Sequence, residues 1–229
     1  MLVARGLSVG YGRNKVLSHI NISISEEEFH VLLGANGSGK STLLQTLGGF
    51  HPALDGEILL DQIPISNFST LEIARKIAIN FTSSEYSPFL TVKELYYIRQ
   101  YVVPSEQRIS PLSIASETGT QAWLQRKLCH LSDGERQKVW LASAIAQNTP
   151  LLFLDEPTAF MDISQKLFVF KFLKQLSIQK KKGILLITHD IEFAFSYATH
   201  VWIIDREKKL RVYSQPFSIS ADWLLANIF

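Results

Sequence analysis

One cysteine, Cys129, stands in a chain of 229 residues, so an intrachain disulfide is excluded and a reducing compartment fits. The pair Cys129-His130 has no partner cluster of ligands elsewhere, so Cys129 reads as a packed core thiol rather than part of a metal site. Charge of either sign is also scarce in excess. A formal net charge of +2 is too small to argue for a nucleic-acid partner. The only strong basic run is Lys180-Lys181-Lys182, which reads as a solvated helix end, with an anionic membrane surface as the sharper alternative. No apolar run approaches the length needed to span a bilayer, and the first residues lack the long apolar stretch of a signal peptide. If the protein works at a membrane, another chain must supply the spanning helices. Internal repeats and low-complexity tracts are likewise missing. What remains, with 46% hydrophobic residues, is enough for a sizeable core in one large domain or one domain with an inserted subdomain.

Within that frame the most informative segment is Gly34-Ala35-Asn36-Gly37-Ser38-Gly39-Lys40-Ser41-Thr42. It satisfies the phosphate-binding pattern G-x-x-x-x-G-K-[ST] through Gly34, Gly39, Lys40 and Ser41. The apolar run 30–33 before it fits a buried strand, and the run 41–47 after it fits a helix stopped by Gly48-Gly49. In that context the glycines let backbone N–H groups curl around a phosphate, and the helix N-terminus adds partial positive charge. Lys40 is placed to reach the β- and γ-phosphates of a nucleotide, and the Ser41 hydroxyl to ligate Mg²⁺.

Around this loop the first sixty residues read as β-rich, with strands at 2–9, 16–24, 29–33 and 57–60 and turns at Gly10-Tyr11-Gly12 and Asp55-Gly56. Ser69 and Glu72 form a capping-box pattern that opens a short helix toward Lys76, and 77–81 reads as a strand. From 83 to about 147 the pattern changes to a mostly helical insertion. Thr91 and Glu94 open a helix through about Tyr101. The stretch 103–120, broken by Pro104 and Pro111, reads as loop, and helical patterns return at 121–127 and 133–147. Strand–helix alternation then resumes. Short apolar runs at 151–155 and 184–188 suit a buried parallel sheet. A helix capped by Asp162 and carrying Leu167, Phe168, Phe172, Leu173 and Leu176 covers it, and 201–205 with 210–213 form a closing hairpin.

Two strand tips carry further chemistry. The apolar run 151–154 ends in Asp155-Glu156. Asp155 at the end of a parallel strand can hold the water shell of Mg²⁺, and Glu156 can orient or deprotonate an attacking water. His189, following the strand 184–188, can reach the γ-phosphate and position water. The other five histidines, His19, His30, His51, His130 and His200, lack such placement and read as structural. Finally, Ser132 and Glu135 form a third capping box, in Leu131-Ser132-Asp133-Gly134-Glu135. The N–H groups at that helix start can bind an anion, and Gly134 lets it approach the backbone. Spacing alone does not say whose anion it is.

The phosphate loop, L-S-D-G-E, the L-L-F-L-D-E strand and T-H-D occur in the order and spacing of ATP-binding cassette (ABC) ATPases, and the resemblance covers nearly the whole chain. L-S-D-G-E is similar to the family's signature sequence, usually L-S-G-G-Q. The resemblance implies an α/β fold: a phosphate-loop NTPase core with a mostly parallel sheet, an N-terminal antiparallel β subdomain and an inserted α-helical subdomain. Residues 1–82 and 148–229 would form the core, and 83–147 the helical part with the signature. It also implies that two copies pack head to tail, each ATP lying between one copy's phosphate loop and the other's Ser132 and Gly134. Tyr11 matches the aromatic that stacks on adenine, and Asp162 the aspartate that communicates across the dimer, although its surroundings depart from the usual S-A-L-D.

Two departures from the family pattern carry expectations. Thr82 stands where the family has a Gln that touches Mg²⁺ and senses the membrane partner; its shorter hydroxyl would act through water or not at all, with Glu85 as a substitute if the loop folds inward. Glu135 replaces a neutral Gln near the partner's γ-phosphate, where like charges repel. It is therefore expected to turn back onto the Ser132 N–H or to pair with Arg136 or Lys138. The resemblance is strongest to the importer branch serving iron–siderophore, haem and cobalamin uptake. It implies an ATPase subunit at the cytoplasmic side of the inner membrane, with integral permease subunits touching the Thr82 loop and the helix after Thr91, and a substrate-binding protein in the complex. An exporter shares the same motifs. A soluble ABC ATPase normally carries two cassettes or a long coiled-coil insertion, and a regulatory subunit without turnover would not need Lys40, Asp155, Glu156 and His189 together.

Overall fold

The chain opens with a long hairpin, β1 (Leu2–Tyr11) and β2 (Asn14–Ile24), whose inward residues include Leu2, Leu7, Val9, Leu17, Ile20, Ile22 and Ile24. Leu17 and Ile20 both face inward although they are three positions apart, because the strand bulges near His19, which has φ 58°. The structure is a computed structural model and describes residues 1–81 and 87–215. β3 (Phe29–Gly34) follows, buried throughout, and leads through the glycine loop into α1 (Lys40–Leu47), which ends where Gly48 donates its N–H to Leu44 O. β4 (Asp55–Leu60) then pairs with β1. A two-residue strand that the sequence pattern did not indicate, β5 (Ile63–Pro64), pairs with β4. The turn between them is Asp61-Gln62, both at positive φ as a tight hairpin requires. α2 (Thr70–Lys76) starts on the Ser69–Glu72 capping box and runs into β6 (Ile77–Asn80).

The stretch before β7 (Leu151–Asp155) is helical: α3 (Val92–Arg99), α4 (Pro111–Thr118) and α5 (Asp133–Ala146). Three sequence expectations change here. α3 gives way to a single 3-10 turn at Gln100–Val102 instead of continuing to Tyr101. The stretch 103–120 is not all loop, because Pro111 starts α4 at a first-turn position where its missing N–H costs nothing. Ser110 caps that helix, Gly119 ends it at φ 67°, and Ile114 and Ala115 bury against α3 and α5. The stretch 121–127 holds only a 3-10 turn, Gln121–Trp123. Its carbonyls Leu124 O and Arg126 O instead accept the N–H groups of Lys93 and Val92, tying it to the start of α3.

After β7 come α6 (Ile163–Gln179), β8 (Gly183–Ile187), α7 (Ile191–Tyr197), β9 (His200–Ile204) and β10 (Leu210–Ser214). The sheets are a four-stranded antiparallel one, β2-β1-β4-β5, and a six-stranded one, β10-β9-β3-β8-β7-β6. In the larger sheet only β10 runs antiparallel, as the closing hairpin with β9. Alternation along β3 decides the layering. Phe29, Val31 and Leu33 pack with α6 and α7, while Leu32 faces α1 and the antiparallel sheet. The expected α/β fold with its antiparallel sheet and helical part is therefore the observed one. The parallel arrangement sends the C-terminal ends of β3, β7 and β8 to one edge, where such sheets place ligands.

Two side-chain expectations fail. Cys129 is exposed, because in the turn Leu128–His130 it is Leu128 that enters the core. Lys182 is not solvated: only 7% exposed, it donates from Nζ to Thr149 O at 2.6 Å and Asn148 Oδ1 at 3.3 Å. Among the described residues no helix is long and apolar enough to cross a membrane.

Candidate functional site

The glycine loop keeps its shape for steric reasons. A Cβ on Gly34 would lie 2.8 Å from Ser38 Oγ and 3.2 Å from Ile204 O. Gly39 sits at φ 107°, and a Cβ there would lie 2.6 Å from Val16 Cγ1. Asn36 and Gly37 are exposed on the loop's crest, with Gly37 at φ 74°. Ser38 is buried and its Oγ has no hydrogen-bond partner. Lys40 is buried at the helix start and donates from Nζ to Gly34 O at 2.9 Å and Ala35 O at 3.0 Å. Burial holds its ammonium below the usual lysine range, while the charges of Glu156 and Asp155 pull it back up.

Those two acids come from the end of β7. Burial, together with the charge of Glu156, pushes Asp155 above the usual carboxylate range, while a hydrogen bond from the Ser41 hydroxyl and the charges of Lys40 and His189 act the other way. Glu156 is in the left-handed region at φ 49°. It is held there because its N–H donates to Ile187 O at 3.0 Å and its carbonyl accepts Gln137 Nε2 at 2.8 Å. Its side chain pairs with His189, Oε1 to Nε2 at 2.8 Å. Lys40, Ser41, Asp155, Glu156 and His189, chosen from three separate stretches of sequence, thus share one electrostatic cluster. Tyr11, half-exposed at 52%, stands beside it, its Oη 3.3 Å from Thr42 Oγ1 and its ring edge-on to His51 at 5.3 Å.

A second grouping surrounds the N-terminus of α5. Ser132 caps the helix, and Glu135 Oε2 accepts the Ser132 N–H at 2.8 Å, so the carboxylate does turn back as a capping box. Its cation is Arg126, at 3.6 Å, rather than either expected partner. Arg136 instead faces Asp133 and Lys138 lies over the Phe168 ring. Gly134 lies against the α6 loop, where a Cβ would meet Phe160 O at 3.3 Å. Asp162 caps α6, accepting the Gln165 N–H at 2.8 Å and the Ser164 hydroxyl at 2.9 Å, and these bonds hold its carboxylate below the usual range. Thr82, with Ser83, Ser84 and Glu85, lies outside the described residues.

The structure adds residues that the motifs did not single out. Gln137 links α5 to the Glu156 backbone. Asp190 fixes the loop carrying His189, accepting Thr158 Oγ1 at 3.0 Å and Lys166 Nζ at 2.7 Å while its own N–H donates to Thr188 Oγ1. Gln137 comes two positions after L-S-D-G-E and Asp190 is the last residue of T-H-D, so both lay within reach of the motifs. Nothing local marked Lys166.

The sequence profile of the family described as "ABC transporter" matches residues 17–159. The chain belongs to the ABC transporter family. Among curated relatives, this ATP-binding cassette is 33% identical over 207 residues to the achromobactin transport ATP-binding protein of Dickeya dadantii (strain 3937), covering 87% of the cassette and 77% of the relative. It is 34% identical over 203 residues to the iron(3+)-hydroxamate import ATP-binding protein of Bacillus subtilis (strain 168), covering 85% and 75%. Among solved structures, the cassette superposes with TM-score 0.84 on a dimeric, post-hydrolysis ATP-binding cassette bound to ADP and Pi. That match covers 95% of the cassette and all of the other chain at 24% identity, and it establishes the fold.

Proposed function

We propose that the cassette binds and hydrolyses ATP to power a membrane importer of metal chelates of the iron–siderophore, haem or cobalamin type. The carrying observation is the convergence of Lys40, Ser41, Asp155, Glu156 and His189 at the C-terminal edge of the parallel sheet. The names of the relatives in siderophore and hydroxamate transport support the cargo class. Lys40 would exchange its two loop carbonyls for the β- and γ-phosphates, with the N–H groups of Asn36 to Thr42 and the unpartnered Ser38 hydroxyl completing the cradle. Tyr11 would stack on adenine. Glu156 would take the proton of the attacking water, and His189, hydrogen-bonded to it, would hold that carboxylate toward the γ-phosphate.

Ser41 and Asp155 fit a Mg²⁺ ion. They are hard oxygen donors side by side, and Asp155 is a buried acid whose environment favours a nearby cation. Bound there, Mg²⁺ would neutralise charge on the phosphate oxygens. Thr82 is proposed to touch the same shell through water.

Ser132, Gly134 and Glu135 are proposed to face the ATP held by a second copy of the chain, packed head to tail, with Asp162 at the same interface. In keeping with that role, Glu135 keeps its charge on the α5 cap and Arg126. Residues 1–82 and 148–229 would act as the core and 83–147 as the helical part that swings with the signature. Integral permease subunits and a substrate-binding protein would complete the complex, the cassette lying on the cytoplasmic side of the inner membrane, with no role for nucleic acid. A Mg²⁺-dependent ATPase assay tests the catalytic part. Turnover lost in Glu156→Gln with ATP binding kept supports the assignment; undiminished turnover in that variant removes Glu156 from the chemistry.

A further inference from the structure

Asp190 directly follows His189, and its carboxylate takes hydrogen bonds from three separate stretches of chain. Oδ2 accepts the hydroxyls of Thr158, at 3.0 Å, and Thr188, at 3.2 Å, both residues buried. Oδ1 accepts Lys166 Nζ at 2.7 Å, from the first turn of α6. These bonds close a ring around the Glu156–His189 pair. Thr158 stands two residues after Glu156 and Thr188 one before His189. The last side of the ring is the 2.8 Å contact from His189 Nε2 to Glu156 Oε1.

The two threonine hydroxyls bring no charge to this ring, so Lys166 supplies the positive charge that balances Asp190. Asp155 and Glu156 already share the cluster, and bound ATP would add more negative charge. The Asp190 side chain is 20% exposed and that of Lys166 26%, so water screens the pair only in part. A carboxylate only accepts, so His189 Nε2 carries the proton in its bond to Glu156. Without its cation, Asp190 would be a second anionic acceptor in the residue next to that imidazole. Lys166 keeps Asp190 engaged and leaves His189 to Glu156. The same residue fastens the ring to α6, because its own N–H donates to Asp162 O at 2.9 Å.

We propose that Lys166, acting through Asp190, is a positioning residue: it holds His189 against Glu156 and ties that pair to the start of α6. The proposal rests on the reading of Glu156 and His189 given above. In this role neither Lys166 nor Asp190 touches the nucleotide, so their loss should lower turnover and leave the affinity for ATP in place.

The test pairs nitrogen-15 spectra of the imidazoles with steady-state ATPase kinetics, both on the full chain. His189→Ala assigns the His189 signals among those of the six histidines. In Lys166→Met the His189 nitrogen shifts should move, and in Lys166→Arg, which restores a cation, they should return toward the wild type. Turnover in Lys166→Met should fall about 10–100-fold with KM for ATP within about twofold, and Lys166→Arg should recover most of it. Adding Lys166→Met to Asp190→Asn should cost no more than Asp190→Asn alone, since the two side chains act as one unit. Neither charge remains in that double variant, so it takes the same measurements should an unpaired Asp190 unfold Lys166→Met. Unmoved His189 shifts, or wild-type turnover in Lys166→Met while His189→Ala is inactive, overturns the proposal. Moved shifts with undiminished turnover in His189→Ala uphold the positioning and remove His189 from the hydrolysis reading instead.

Discussion

Lys182 offers a prediction that the structure fixes in sign and size. Its ammonium is buried between the start of β8 and the 148–149 turn, and burial lowers its pKa from 10.5 to about 8, with the nearby charge of Lys180 adding to the effect. Below pH 8 the folded and unfolded states both carry the proton, and the buried charge is destabilising in full. Between pH 8 and 10.5 the folded state has released the proton while the unfolded state keeps it, so stability rises with pH. Each pH unit between those values corresponds to about 1.4 kcal/mol, so the whole window is worth roughly 3 kcal/mol. Tyr96 acts the other way above pH 10, because burial keeps its phenol protonated when the unfolded chain has lost that proton. Urea unfolding of the wild type and Lys182→Met at pH 7.5, 8.5 and 9.5 isolates the effect. The wild type should gain on the variant by roughly 2 kcal/mol across that range. A constant difference would refute the reasoning and return Lys182 to the solvated basic run that the sequence pattern alone indicates.

Gly39→Ala, at φ 107° and with its Cβ 2.6 Å from Val16 Cγ1, should cost about 1–3 kcal/mol of stability and weaken binding of a fluorescent ATP analogue; normal affinity and melting would contradict the steric account. Glu135→Gln should leave thermal stability within about 0.5 kcal/mol, since Gln also serves a capping box and the Arg126 pair is partly exposed, whereas Glu135→Ala should cost about 0.5–1 kcal/mol. Equal losses in both would show that the charge, not the cap, holds α5. Thr82→Gln should preserve or raise ATPase activity, and a large loss would mean that Thr82 has a role that Gln cannot fill.

Legibility in the sequence followed how local the cause was. The three capping boxes and the Asp162 cap are each set by residues three positions apart, and the phosphate loop by one short run, Gly34 to Ser41, and each forms as its pattern indicates. The parallel strands could be read because strands buried on both faces are apolar along their whole length. α4 was hidden because Pro111 reads as a breaker unless it is the first residue of a helix. The run 121–127 has helical residues, but α3 claims its carbonyls. In the site, the acids and His189 were visible as strand tips. The 2.8 Å Glu156–His189 contact and the Gln137 tether depend on how β7, β8 and α5 pack, which no spacing encodes.

The central claim is that Lys40 of one copy and Ser132 and Gly134 of another enclose one ATP. Light scattering of the Glu156→Gln chain, 25.9 kDa per copy before substitution, tests it most directly. With ATP and Mg²⁺ the mass should double, and adding Gly134→Asp should return it to one copy while Lys40 still binds nucleotide. A one-copy mass at saturating ATP, or a dimer indifferent to Gly134→Asp, would contradict the account.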